Sequence, residues 1–110
     1  MDLEVPELVF RSAEKTIARF CLEPIIRSGQ NYSLSMQPLP DGFEIGVLAD
    51  GQNRSVVLAR LLFSVELEQW TLHRPRSDER WSYVPEAGGY LDPGKLLRYI
   101  KEDPLNIFWV

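Results

Sequence analysis

Residues 32–49 read YSLSMQPLPDGFEIGVLA, and this stretch decides the fold. Apolar and polar side chains alternate through residues 32–37, and the same alternation returns in residues 43–47. A period of two residues is typical of a strand with one buried face. Residues 38–42 (PLPDG) favour a reversal, because proline fixes φ and Asp-Gly suits a tight turn. The stretch therefore predicts two antiparallel strands joined by a turn.

Three further strands are predicted on the C-terminal side. Residues 55–65 form the most apolar stretch, interrupted mainly by Arg60, and favour a central strand covered on both faces. Residues 70–73 and 80–84 follow as the fourth and fifth strands, after reversals at residues 66–69 and 75–79. Such short connections predict a five-stranded antiparallel meander, which can curve strongly or close partly into a barrel.

A helix is predicted at each end of this sheet. Residues 6–22 carry apolar side chains at three- and four-residue spacing, and Pro24 ends the pattern. Residues 27–31 are predicted as a loop. Asp92-Pro93 favours the start of a second helix, because aspartate suits the N-cap and proline the first turn. The predicted fold class is α+β in one domain, residues 1–110: N-terminal helix, five-stranded meander, and C-terminal helix packed on the sheet.

The tail, Ile107–Val110, reads IFWV and is too apolar to be left in water. We expect it to dock on the core or to continue a sheet. Its sequence leaves open whether it belongs to the core or to an interface.

The composition excludes several classes of protein. The 110 residues are 45% hydrophobic and 25% charged, with a net charge of −4 from 12 basic and 16 acidic side chains. These values argue against a disordered chain. The single cysteine argues against a disulfide-stapled secreted module, and no signal peptide or membrane-spanning stretch is visible, so we expect a cytoplasmic protein with no membrane partner. Net acidity disfavours nucleic acid as a partner.

Few residues carry chemistry. Cys21 and His73 are the only cysteine and histidine, whereas a structural zinc site needs about four such ligands, so no metal and no cofactor are expected. The glycine patterns of phosphate loops and the serine elbow of hydrolases are absent. Cys21 falls on the apolar helix face, where it predicts a small buried side chain. One enzymatic hypothesis remains, with His73 working beside a carboxylate such as Asp78 or Glu79.

Arg74, Arg76, Arg80 and Trp81 surround the predicted hairpin between the last two strands. Arginine forks bind phosphate or carboxylate, and a nearby tryptophan can stack a base. The opposing interpretation is a solvated turn whose arginines pair with the adjacent acidic residues.

Three hypotheses of function follow. The first is a non-enzymatic binding or protein-interaction module, including a homodimer, because catalytic motifs are missing and aromatic residues concentrate in the C-terminal half. The first alternative is a binder of nucleic acid or a phosphate ligand through the Arg74–Trp81 hairpin. The second alternative is the His73 enzyme.

Several segments resemble a known family. They are VLARL (57–61), WTL (70–72), RWSY (80–83), LLRYIKEDP (96–104) and IFW (107–109). Together they resemble a family of small bacterial proteins, the domain of unknown function three thousand and twenty-four. The resemblance covers most of the chain and is clearest over residues 56–110. It implies a bacterial, cytosolic protein, and it implies no activity and no functional residue.

Overall fold

The structure is a computed structural model that describes residues 6–76, 79–105 and 107–109. The predicted α+β class is confirmed, with a helix at each end of an antiparallel sheet. The elements in chain order are α1 (Glu7–Cys21), β1 (Ile25–Arg27), β2 (Gln30–Leu39), β3 (Gly42–Ala49), β4 (Val56–Ser64), β5 (Gln69–Pro75), β6 (Trp81–Tyr83), a 3-10 turn (Pro85–Ala87), β7 (Gly89–Tyr90) and α2 (Gly94–Glu102).

The sheet is the predicted meander with two additional strands. Strands β1 to β6 are neighbours in chain order, and β7 pairs with β5. Residues 27–31, predicted as a loop, instead contain the ends of β1 and β2, joined by Ser28 and Gly29. Both joining residues have left-handed φ values, 52° and 77°, as a two-residue hairpin of type I′ requires. The predicted strand count of five was wrong: β1 and β7, three and two residues long, lie where the sequence analysis predicts no strand.

One face of the sheet, the inner face, is buried against the helices. Phe43, Leu61 and Leu72 are direct partners across three strands and are fully buried. The ring of Phe10 on α1 lies 4.5 Å from that of Phe43, and the apolar side of α2 joins the same hydrophobic cluster. Burial of this apolar surface provides the main driving force for the fold.

A bulge in β4 corrects the interpretation of this strand as covered on both faces. Ile45 pairs with Ala59 and Gly46 pairs with Val57, so Leu58 is the extra residue. A bulge breaks the alternation of faces, and Leu58 and Ala59 are therefore both buried. The strand looks apolar on both sides in sequence because its phase changes here. Its start, at Val56, is 65% exposed.

Asp103 attaches the tail to the core. It ends α2 in a left-handed conformation, and its carboxylate accepts hydrogen bonds from the backbone N–H groups of Ile107, Phe108 and Trp109 at 2.8 to 3.0 Å. The side chain of Phe108 is buried. Docking of the tail on the core is thus confirmed for residues 107–109, and Val110 lies outside the described residues.

Candidate binding surface on the outer face of the sheet

The opposite, outer face of the sheet carries a row of polar and aromatic side chains. Glu44 pairs with Arg60, Arg60 with His73, and His73 with Tyr83, so the row crosses β3, β4, β5 and β6. Successive residues of a strand point to opposite faces of the sheet. Each of these four residues either is next to a buried residue in its own strand or points to the same side as a residue that is. The outer-face row, defined as Glu44, Arg60, His73 and Tyr83, therefore lies opposite the core, on the side away from α1.

Arg60 is held between a carboxylate and an aromatic ring. Its Nε donates a hydrogen bond of 2.9 Å to Oε2 of Glu44, and its guanidinium carbon lies 4.1 Å from the centre of the Trp81 ring. The two charged side chains are only 31% and 19% exposed. Stacking on an indole and pairing with a carboxylate both restrict the guanidinium. Its charge is compensated within the protein.

The hydrogen bonds of His73 determine its tautomer. Its Nε2 lies 2.9 Å from Oγ1 of Thr71, and the same hydroxyl donates to the carbonyl of Leu62 at 3.2 Å. With the single hydroxyl proton of Thr71 on the Leu62 carbonyl, Nε2 of His73 donates to Thr71 and the lone pair lies on Nδ1. Burial lowers the pKa of His73; the carboxylate of Asp41 opposes this shift and Arg60 adds to it. The imidazole is therefore neutral near pH 7.

The enzymatic hypothesis placed a carboxylate such as Asp78 or Glu79 beside His73. Glu79 is exposed in a left-handed turn, and Asp78 lies outside the described residues. Among the described residues, the carboxylate of Asp41 acts to raise the pKa of His73. Three surface cavities of about 280 to 380 Å³ are formed by described residues, and His73 lines none of them.

The residues of the predicted Arg74–Trp81 hairpin lie on both faces of the sheet. Arg74 pairs with Ser82, whereas Trp81 pairs with Pro75 and shares the phase of His73, so Arg74 and Trp81 face opposite sides of the β5–β6 ladder. The backbone N–H of Arg76 donates to the carbonyl of Arg80 at 2.8 Å, which closes the hairpin. The arginine that meets Trp81 is Arg60 from β4.

Arg60, Glu44 and Thr71 are not among the site residues that the sequence indicates. A signal was present, because Arg60 is a charged residue inside the most apolar stretch of the chain. A buried or half-buried charge needs a partner, so such an interruption points to an acidic residue on a neighbouring strand. The identity of that partner depends on the register.

Within the described residues, neither the thiol nor the potential metal ligands form a functional site. Cys21 is half-buried on α1, and burial raises the pKa of its thiol, which makes it a poor nucleophile. Among residues 6–76, 79–105 and 107–109, no three His, Cys, Asp or Glu side chains are grouped so as to hold a metal ion. No helix of this part of the chain is long and apolar enough to cross a membrane.

The chain belongs to the family described as domain of unknown function (DUF3024), whose model matches residues 5–110. The match covers nearly the whole chain and confirms the resemblance seen in the sequence. No curated protein and no solved structure matches this chain.

Proposed function

We propose that this member of the DUF3024 family is a non-enzymatic protein-interaction module that binds through the outer face of its sheet. The observation that carries the proposal is the outer-face row together with Trp81. Aromatic and charged side chains from four strands lie there, on the face opposite the one that packs against α1 and α2. Tyr83, at the end of the row, is 51% exposed.

The chemistry of this surface suits a protein partner. Tryptophan, tyrosine and arginine are enriched at the energetic centres of protein interfaces. The charge pair and the stacking hold Arg60 and Trp81 in place before binding, so less side-chain entropy is lost on association. The neutralised guanidinium of Arg60 makes the same surface a poor binder of phosphate.

The partner that we propose is a second copy of this chain. A two-fold interface needs a patch that is complementary to itself, and a patch containing one acid, one base and aromatic rings meets this need. Two copies with a net charge of −4 repel each other at long range, whereas the paired patch adds no net charge. Association should therefore strengthen as salt screens the overall repulsion.

Light scattering and sedimentation test this proposal between micromolar and millimolar protein, at about 50 and about 500 mM salt. We expect a rise in mass with concentration that is larger at high salt. Trp81→Ala and Tyr83→Ala should each weaken association about tenfold or more, as expected of interface aromatics. Leu22→Ala, which removes an 81% exposed side chain outside this face, is the matched control. A protein that stays monomeric throughout would overturn the proposal.

The nucleic-acid alternative has the opposite dependence on salt. Binding of a single-stranded oligonucleotide through the Arg74–Trp81 hairpin should be strongest at low salt and fall steeply as salt rises. Titration of the wild type with such an oligonucleotide, followed by the combined fluorescence of Trp70, Trp81 and Trp109, distinguishes the two. Affinity at low salt that Arg74→Ala and Arg76→Ala weaken would replace the dimer proposal.

The enzymatic alternative uses His73 as a base. Such a reaction would need a substrate site beside Nδ1, and loss of turnover in His73→Gln with binding retained would establish it.

We also propose a cytoplasmic location, because a single, half-buried thiol suits a reducing compartment.

A further inference from the structure

Strand β6 forms one edge of the sheet and pairs only with β5 among the described residues. At one end of this pairing, the backbone N–H of Val84 donates to the carbonyl of Leu72 at 2.9 Å. At the other end, the backbone N–H of Arg76 donates to the carbonyl of Arg80 at 2.8 Å. Hydrogen-bonded and non-hydrogen-bonded pairs alternate along an antiparallel ladder, so positions 80, 82 and 84 direct their backbone groups toward β5.

The backbone N–H and C=O groups of Trp81 and Tyr83 therefore point away from β5. The partner of Trp81 on β5 is Pro75, which has no N–H to donate and suits a non-hydrogen-bonded pair. Among the described residues, these four outward groups have no hydrogen-bond partner. They form an open sheet edge.

The open edge is limited in length but not blocked. On one side it ends at Pro85, which has no N–H, and on the other at Glu79, whose left-handed φ of 62° interrupts the extended backbone. Proteins commonly protect a sheet edge with a charged residue or a proline within the strand, and Trp81–Tyr83 contains neither. This edge can therefore pair with another strand over three residues.

The outward groups of β6 are complementary to those of a second β6. In antiparallel pairing about a two-fold axis at Ser82, Trp81 of each copy lies opposite Tyr83 of the other. Every outward N–H then meets an outward C=O, which gives four hydrogen bonds. An axis at Trp81 or at Tyr83 would use only half of these groups, because the remaining pairs would fall on Glu79 or Pro85. The edge thus has the self-complementarity that a two-fold dimer needs, with one preferred register.

The side chains favour the same register. The Tyr83 side chain is 51% exposed, and its ring lies 5.6 Å from that of His73 on the β5 side. With the axis at Ser82, Trp81 of the second copy lies beside Tyr83 on the other side. Aromatic residues directly opposite each other stabilise antiparallel pairing, and this pair occurs twice in the dimer.

We propose that two copies of this chain dimerise edge to edge through β6, with the two-fold axis at Ser82, so that two seven-stranded sheets join into one. This inference rests on the proposed function and specifies where the two copies meet. The outer-face row of one copy then continues into that of the other across Tyr83 and Trp81.

Edge pairing has a consequence that distinguishes it from the packing of one outer face on another. Ser82 pairs with Arg74 and points to the face opposite Trp81 and Tyr83. In the edge-paired dimer the Cα atoms of the two Ser82 residues lie about 4.5 Å apart, within the range of a disulfide. In a face-to-face dimer the two Ser82 side chains would point away from each other, on the far sides of sheets about 10 Å apart.

Cross-linking of Ser82→Cys tests this geometry. The substitution is made together with Cys21→Ser, which removes the only native thiol. Oxidised glutathione accepts the two electrons and two protons that the new disulfide releases. At protein concentrations where the wild type associates, we expect a covalent dimer on non-reducing gels and in mass spectra. Ser12→Cys in the same background, at an exposed position on α1, is the matched control. Ser82→Cys should cross-link at least about tenfold faster, because pairing holds its thiols together.

Amide hydrogen exchange by NMR gives a second readout in the unmodified chain. The outward N–H groups of Trp81 and Tyr83 should exchange rapidly in dilute protein. Their exchange should slow by about tenfold or more at concentrations where the protein is dimeric. The N–H of Ser82, which points toward β5, should change much less.

The outcomes separate this inference from the proposed function. A wild type that stays monomeric would overturn both. A wild type that associates, while Ser82→Cys cross-links no faster than Ser12→Cys or the Trp81 and Tyr83 amides stay unprotected, would overturn edge pairing and leave the outer-face dimer standing. Protection of those amides in a monomeric protein by a short alternating valine–threonine peptide would assign β6 to a peptide and would also overturn the inference.

Discussion

Asp103 is the one charged side chain that the described residues bury, at 4% exposure. It also has a left-handed φ of 45°, which aspartate and asparagine tolerate better than most residues. Asp103→Ala would leave three backbone N–H groups without acceptors. We expect it to lower the free energy of unfolding by about 2–4 kcal/mol, measured by urea denaturation.

Asp103→Asn is the matched control for this loss. Asparagine keeps one accepting oxygen and the tolerance for left-handed φ, so it should lose less stability than alanine does. An alanine variant as stable as the wild type would contradict the role of this carboxylate in holding the tail.

His73 should give the protein a pH dependence of stability. Its pKa in the folded protein lies below the ordinary value of about 6.5, chiefly because of burial. As pH falls below about 6.5, the unfolded chain takes up a proton that the folded protein resists, so the free energy of unfolding decreases. Above this pH the imidazole is neutral in both states, and His73 causes no such loss of stability. His73→Gln should flatten the stability curve between about pH 5 and 7.

The chain has one histidine, so this change can be assigned without ambiguity. Titration of the imidazole ring protons by NMR gives the same pKa directly. A midpoint at or above 6.5 would show that burial does not control His73.

At the scale of elements, the approach of β3 to β4 depends on Gly42. A Cβ atom there would collide with the backbone carbonyl oxygen of Leu61, which cannot move without displacing β4. We expect Gly42→Ala to cost about 1–3 kcal/mol of unfolding free energy through strain, measured by thermal or urea unfolding.

Gly46→Ala, in the same strand, serves as the comparison. A Cβ atom there would meet the Ser35 hydroxyl at 2.9 Å, a side-chain group that can rotate away. Gly46→Ala should lower the free energy of unfolding markedly less than Gly42→Ala does. Equal losses at both positions would show that the loss of glycine itself, and not the contact with β4, determines the cost.

The elements show where prediction from sequence succeeded. Both helices and the strands β2 to β6 were predicted, because periodicity is a local signal. Strands β1 and β7 were missed, and the bulge at Leu58 was mistaken for a strand with two apolar faces. A bulge cannot be read from one strand alone, because it exists only relative to the partner strand.

At the scale of the whole molecule, the tail joins the end of α2 to the β1–β2 hairpin. Trp109 donates to the carbonyl of Ile100 and packs at 5.0 Å on the ring of Tyr32. Phe108→Ala, which empties a buried site, should lower the unfolding free energy by about 3–5 kcal/mol in urea. Trp109→Phe, which mainly loses one hydrogen bond, should cost about 1 kcal/mol.

The cooperativity of unfolding provides a second test of whether the tail belongs to the core. If the tail is part of the core, the aromatic near-ultraviolet signal and the far-ultraviolet signal of Phe108→Ala should be lost in one coincident transition. An early, separate transition of the aromatic signal would mean that the tail docks independently.

By itself, the sequence determined the α+β class, the two helices, the meander and the apolar character of the tail, because each follows from spacing within a few residues. The tertiary structure alone decided which residues meet. The Arg60–Glu44 pair joins positions 16 residues apart in neighbouring strands. The stacking of Arg60 on Trp81 joins β4 to β6 across the strand between them. Such contacts depend on register, and a shift of one residue would turn every outer-face side chain inward. The burial of the Trp70 indole N–H, which has no acceptor among the described residues, likewise exists only once the core has closed around it.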